Sequence, residues 1–91
     1  MPDKITFYAI VDGESTRDRP LGLLRRLKFD RNGFTDEGLR SDFSWDFTPL
    51  IVEWERGDFS YELVKVSHEQ ASKIIEYFRD KWGPFGQSVP S

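Results

Sequence analysis

The run from Ser67 to Gly83 constrains the rest of the chain more than any other stretch. Ser67 followed three residues later by Gln70 reads as a capping box, in which each side chain serves a backbone N–H that the first helical turn leaves unpaired. Ala71, Ile74, Ile75, Phe78 and Trp82 recur at spacings of three and four and so fall on one stripe of a helix. Glu69 suits the electropositive start of that helix, and Arg79 and Lys81 suit its electronegative end. Gly83 can take positive φ and Pro84 forbids continuation, so the helix stops there. An amphipathic rod of this kind needs an apolar surface to lie on, and the preceding residues are patterned to form a sheet.

Ile5, Phe7, Ala9 and Val11 alternate on one face of a first strand from Lys4 to Asp12, and Tyr8 and Ile10 make its other face partly apolar. The polar connector from Gly13 to Pro20 is too long for a tight hairpin turn, and a solvated loop is preferred to a binding loop. Leu21 to Asp30 reads as a second strand. Leu21, Leu23, Leu27 and Phe29 share one parity, interrupted by Arg25, and Leu24, Arg26, Lys28 and Asp30 fill the other. Paired antiparallel to the first strand, it would place its basic residues on an exposed sheet face or edge, where such charges discourage edge-to-edge association.

Asn32-Gly33 signals a turn of the primed type. Asp30 to Gly33 does not have the spacing of a calcium loop, which needs its glycine at the sixth position. Thr35 to Arg40 holds one helical turn at most, and Phe43, Trp45 and Phe47 suggest a short extended piece with its rings turned inward. Thr48 to Gly57 is read as a short helix. Thr48 is a good N-cap, Pro49 is favoured at the first helical position, and Gly57 can close the end. Ile51 and Val52, which favour strands, point the other way. Glu62 to Val66 is the last strand, with Val64 and Val66 on its core side. Phe59, Tyr61 and Leu63 have the opposite parity, which a loop entry or a bulge would explain.

The expected fold is therefore α+β. It has a small, mostly antiparallel three- to four-stranded sheet with two helices packed on one face, in β-β-α-β-α order. Residues 1–83 form a single domain and residues 84–91 a flexible tail. The blocks Phe7–Gly13, Arg19–Arg26, Ser44-Trp45, Glu55–Asp58 and Glu62–Ser67 resemble a group of small uncharacterised proteins of actinobacteria and their phages. The resemblance covers most of residues 5–82. It implies the same architecture and a cytoplasmic setting, and it transfers no functional residues.

Aromatic residues make up 15% of the 91 residues, which suits a small core, because large rings bury much area each. The net charge of −3 divides unevenly. Residues 1–31 hold seven bases against five acids, and residues 32–91 hold six against eleven. A weak basic patch on an acidic protein is a poor signature for nucleic acid, and a basic partner protein suits these charges at least as well. There are no cysteines, so neither a disulfide framework nor a thiolate metal site is available. No apolar run approaches the length of a membrane span and the N-terminus lacks a signal-peptide pattern, so a cytoplasmic location is expected.

No motif carries chemistry. His68, the single histidine, falls in the first turn of the last helix and is expected to be solvated. No phosphate loop, nucleophile elbow or HExxH is present, and the acids Asp36, Glu37, Asp42, Asp46, Glu53, Glu55 and Asp58 single out no pair. The expectation is thus no cofactor and no metal. A noncatalytic protein-interaction or adaptor module, open to self-association through a sheet edge or an aromatic patch, is favoured, with Arg17, Arg19, Arg25, Arg26, Lys28, Trp45, Trp54 and Trp82 as its candidate surface. Exposed rings beside arginines are the usual make-up of a binding hot spot. A nucleic-acid binder using the same basic residues with Tyr8, and a small acid-dependent enzyme, are the alternatives.

Overall fold

The chain forms a five-stranded antiparallel sheet with two helices, seen in a computed structural model that describes residues 3–16, 19–30 and 33–82. The strands are β1 (Lys4–Val11), β2 (Gly22–Phe29), β3 (Gly33–Leu39), β4 (Trp45–Phe47) and β5 (Glu62–Val66). Helix α1 (Leu50–Glu55) lies between β4 and β5 in sequence, and α2 (His68–Trp82) follows β5. In space the strands run β4-β3-β2-β1-β5, so β2 is central and β4 and β5 are the edges. The α+β class agrees with expectation, but the sheet has five strands, not three or four.

The added strand is β3. Its sequence, from Gly33 through Phe34, Thr35, Asp36, Glu37 and Gly38 to Leu39, has no apolar alternation and carries residues that strands disfavour. Pairing with β2 holds it. Arg25 stands opposite Glu37 and Arg26 opposite Asp36, and opposite charges directly across a ladder stabilise it. Gly33 closes this hairpin against Phe29 at φ 78, a conformation that favours glycine. Asn32, expected in the same turn, lies outside the described residues, as do Arg17, Gly83 and the tail 84–91.

The two helices cover opposite faces of the sheet, contrary to the one-face packing expected. Ala9, Leu23 and Val66 meet Ala71, Ile74 and Phe78 of α2 in one core. Leu24 and Leu63 meet Ile51 of α1 in another. Neighbouring residues Leu23 and Leu24 are both buried although successive side chains of a strand point to opposite faces, so each face needs its own cover. The same geometry resolves the parity of the last strand. Leu63 serves the α1 face and Val66 the α2 face, and no bulge is needed.

Local signals set the helix ends. The Ser67 hydroxyl accepts the Gln70 N–H at 3.0 Å, as the capping pattern predicts. Ser67→Ala is expected to cost about 1 kcal/mol in urea unfolding. At the end of α1 the Gly57 N–H reaches the Trp54 carbonyl and the Asp58 N–H reaches the Glu53 carbonyl, with Gly57 at φ 83. This is the Schellman closure that a glycine permits. At the start of α1 the helix begins at Leu50 and Pro49 stands at the cap position. The Thr48 hydroxyl still accepts the Leu50 N–H, at 3.3 Å. Thr48 lies close over β3 because Gly38 has no side chain: a Cβ there would come within 3.2 Å of Leu24 Cδ2 and 3.7 Å of Thr48 Cγ2.

The connector after β1 begins with Asp12, whose Oδ1 accepts the N–H groups of Glu14 at 2.9 Å and Ser15 at 2.8 Å. These bonds, that from Glu14 first, hold the Asp12 carboxyl below its ordinary value of 3.8. A lowered folded-state pKa adds stability above the ordinary value, and that stability is lost as pH falls through the folded one. The stability difference between the native chain and Asp12→Ala is therefore expected to stay constant near neutrality and to narrow once pH drops below 3.8, as read by urea titrations across pH.

Candidate interaction surface

The residues singled out from sequence do not share one exposed patch. Arg25 and Arg26 lie on the central strand, not at an edge or on an open face, and both are engaged. Arg25 donates to Glu37 Oε1 at 2.8 Å and its guanidinium lies 4.1 Å from the centre of the Trp45 ring, on the α2 face. Arg26 points to the α1 face. It pairs bidentately with Asp36, Nε to Oδ1 at 2.7 Å and Nη2 to Oδ2 at 3.0 Å, and reaches Glu55 through Nη1 at 2.9 Å and Nη2 at 3.2 Å. Its guanidinium also rests 3.9 Å from the centre of the Phe34 ring. The Asp36 hydrogen bonds, then Glu55, raise the Arg26 pKa against the opposing effect of burial. Asp36 itself is 3% exposed, so the Arg26–Asp36 pair is largely desolvated, and the exposed Glu55 completes a triad spanning β2, β3 and α1.

The three tryptophans are half-buried packing residues. Trp45 tilts against Phe7 at 6.1 Å, Trp54 against Tyr8 at 6.2 Å, and Trp82 stacks on Phe78 at 4.4 Å with 6° between the planes. Arg19 and Lys28 are exposed, and Lys28 stands opposite Lys4 on β1 and Phe34 on β3. Arg17 lies outside the described residues. Tyr8 and both central arginines, which a nucleic-acid reading would use, are thus committed to internal contacts.

His68 is exposed, with Nε2 3.1 Å from the Ile5 carbonyl oxygen and its ring edge-on to Phe7 at 5.0 Å. It borders an open depression of about 440 Å³ with Lys4, Thr6, Lys65 and Asp3. Among the described residues no group of three or more His, Cys, Asp or Glu side chains is placed to hold a metal ion. Among them, too, no helix is long and apolar enough to cross a membrane.

A different set of side chains converges. Among the described residues four large hydrophobic ones stand out as exposed: Leu21, Phe34, Phe47 and Tyr61. Three of them border two open depressions that meet at the junction of α1, β3 and β4. The first, of about 320 Å³, is bounded by Phe34, Asp36, Phe47, Thr48, Pro49 and Val52. The second, of about 330 Å³, runs past Leu21, Ile10, Leu50, Arg40 and Asp46 to Phe47 and Thr48. Both share Phe47 and Thr48 and so meet at β4, where Thr48 stands over Gly38 on the α1 face and Phe47, two residues from Trp45 on the same strand, turns its ring to the α2 side of the edge. Phe47, expected to face inward with Phe43 and Trp45, is 72% exposed. Phe43 does turn inward, onto Trp82 at 5.5 Å, and keeps a φ of 68 to do so.

Phe34 and Phe47 were not identifiable as surface residues from sequence, since a phenylalanine in an extended stretch is by default a core residue. The available signal was electrostatic. The pair Arg25-Arg26 and the pair Asp36-Glu37 are placed symmetrically about residue 31, which fixes the hairpin register and places Phe34 next to Arg26. Comparison with family models, curated proteins and solved structures returned no match.

Proposed function

We propose that the chain is a protein-interaction module that docks a partner along the β4 edge, a strip bordered by Leu21 and Phe34 on the α1 side and by the Phe47 ring on the α2 side. The observation carrying this reading is that three exposed large hydrophobic residues surround the β4 edge, where two contiguous depressions meet at the junction of α1, β3 and β4. Contiguous exposed apolar surface is unfavourable in water and marks binding sites. The neighbouring structure is stiff: the Arg26, Asp36 and Glu55 triad ties sheet to helix beneath the strip. A preorganised apolar surface loses less entropy on binding than a mobile one. The depressions are open and small, which suits the seating of individual side chains from a partner better than the enclosure of a metabolite.

Because Phe47 is 72% exposed, Phe47→Asp is expected to change folding stability by no more than about 0.5 kcal/mol. The same variant should abolish partner retention. The test compares affinity capture by the native chain, by Phe47→Asp, and by Lys73→Glu on the exposed side of α2. Proteins retained by the native chain and by Lys73→Glu but lost from Phe47→Asp support the reading. Identical retention by all three, or loss only from the α2 variant, removes it.

A further inference from the structure

The identity of the occupant can be taken further, on the footing of the docking strip just described. We infer that the strip receives an extended segment of a partner protein, which adds to β4 as a further strand and carries an apolar side chain flanked by lysine or arginine.

The extended form follows from the edge. Thr48 donates its N–H to the Asp36 carbonyl at 3.0 Å, and Arg40 donates to the Ser44 carbonyl at 2.8 Å. In an antiparallel ladder the residues that bond the neighbour alternate with residues that face away. Ser44, Asp46 and Thr48 therefore face β3, and Trp45 and Phe47 direct their main-chain groups off the sheet. An added strand would bond those groups and set its side chains alternately beside Phe47 on the α2 side and over the two depressions on the α1 side.

The edge is guarded. Asp46 Oδ1 accepts the Phe47 N–H at 2.9 Å, while its Oδ2 accepts from Arg40 Nη1 at 3.0 Å. A three-residue edge strand with its outward donor masked by a neighbouring carboxylate resists indiscriminate pairing. A cation arriving beside Asp46 competes with Arg40 for the carboxylate and loosens its hold on the Phe47 N–H, so a basic segment both neutralises the edge and opens it.

Charge selects the partner. Residues 42–58, which supply β4 and α1, carry five acids (Asp42, Asp46, Glu53, Glu55 and Asp58) against Arg56 alone, a net −4. Adding the bordering sheet residues Asp36, Arg26 and Arg40 leaves −3. An acidic rim around an apolar strip repels a nucleic-acid backbone and attracts a basic peptide. It also disfavours a second copy of the chain, since two-fold pairing of β4 about its central residue would set Asp46 against Asp46, and like charges directly opposite are destabilising.

The experiment pans a phage-displayed library of random short peptides against the intact chain, then measures the selected synthetic peptides by calorimetry and amide exchange. The expected peptides alternate apolar residues with lysine or arginine and bind more weakly as salt shortens the screening length. They slow exchange at the Trp45 amide, lose at least about tenfold in affinity with Phe47→Asp or Leu21→Asp, and lose a smaller factor with Asp46→Asn. Urea unfolding confirms that each variant is folded. Peptides that need Phe47 but bind as helices, lack basic residues or leave the Trp45 amide unprotected overturn this inference while the docking strip survives. Displacement of the peptides by a single-stranded oligonucleotide, or a dimer in sedimentation that Phe47→Asp dissociates, likewise overturns it. A library without binders overturns it, and peptides indifferent to Phe47→Asp and Leu21→Asp overturn the docking strip as well.

Discussion

Asp36→Ala is expected to lower the unfolding free energy by about 3 kcal/mol, the lower end of the range for orphaning one member of a buried ion pair. The reason is the environment of Arg26. Its side chain is 15% exposed, and it loses a bidentate partner that is itself 3% exposed. Glu55 remains as a second partner, but at 46% exposure water already screens it, which keeps the loss from being larger and the residual compensation small. Glu55→Gln alone should accordingly cost less than about 1 kcal/mol. Replacing both buried partners, Arg26→Met with Asp36→Leu, should recover most of the loss, because no charge is then left desolvated. The recovery should be incomplete, since the cation–π contact of Arg26 with Phe34 also goes, and such contacts are worth roughly 0.5–1 kcal/mol. Urea titrations followed by tryptophan fluorescence give all three values. If Asp36→Ala were no worse than Glu55→Gln, the triad would be a surface feature and not the tie between sheet and α1.

Phe78→Ala is the second large effect, expected at about 3–5 kcal/mol. Phe78 is 1% exposed and sits at the centre of the α2 core with Ala9, Leu23, Val66 and Ile74. Its ring also stacks on Trp82 and meets Tyr77 at 5.4 Å. Truncation leaves a cavity that a backbone pinned by both a capped helix and a central strand cannot collapse to fill. A domain of this length has a total stability of roughly 5–14 kcal/mol, so the variant removes a large part of the margin. The measurement is the urea midpoint together with near-ultraviolet circular dichroism at low temperature. Retention of native stability would show that α2 is not packed as described.

The two effects differ in kind, and the difference bears on how readable the chain is. Phe78 belongs to a stripe whose period announces both helix and buried face, so its place in the core follows from spacing alone. Asp36 sits in a run with no strand-like alternation, and taken by itself that run suggested at most a helical turn. Its position depends on Arg26, ten residues earlier, and becomes visible only when the hairpin register is known. The same holds for the candidate surface. Arg25, Arg26, Trp45, Trp54 and Trp82 looked available because arginine and tryptophan are the usual currency of interfaces. In the fold each arginine meets an acid across the ladder and each ring meets another ring. Phe47, which looked like core, is exposed because β4 ends the sheet and nothing among the described residues lies beyond it.

The placement of the helices shows the same division. Tyr8 and Ile10 already made the second face of β1 partly apolar, and Leu63 already opposed Val66 in parity. These were the marks of a sheet covered on both sides. Which helix covers which face was not written in them, because it depends on how the chain crosses from β4 through α1 to β5.

From sequence alone came the α+β class, the start of α2 set by Ser67, the turn-closing glycines Gly33 and Gly57 and the strand character of β1, β2 and β5, all consequences of spacing and backbone preference among near neighbours. The tertiary structure decided the identity of β3, the burial of Asp36, the two-sided core and the exposure of Phe34 and Phe47. Those outcomes hinge on register and on which strand stands at the edge. Both are set by contacts between residues far apart in the chain, to which local periodicity is blind.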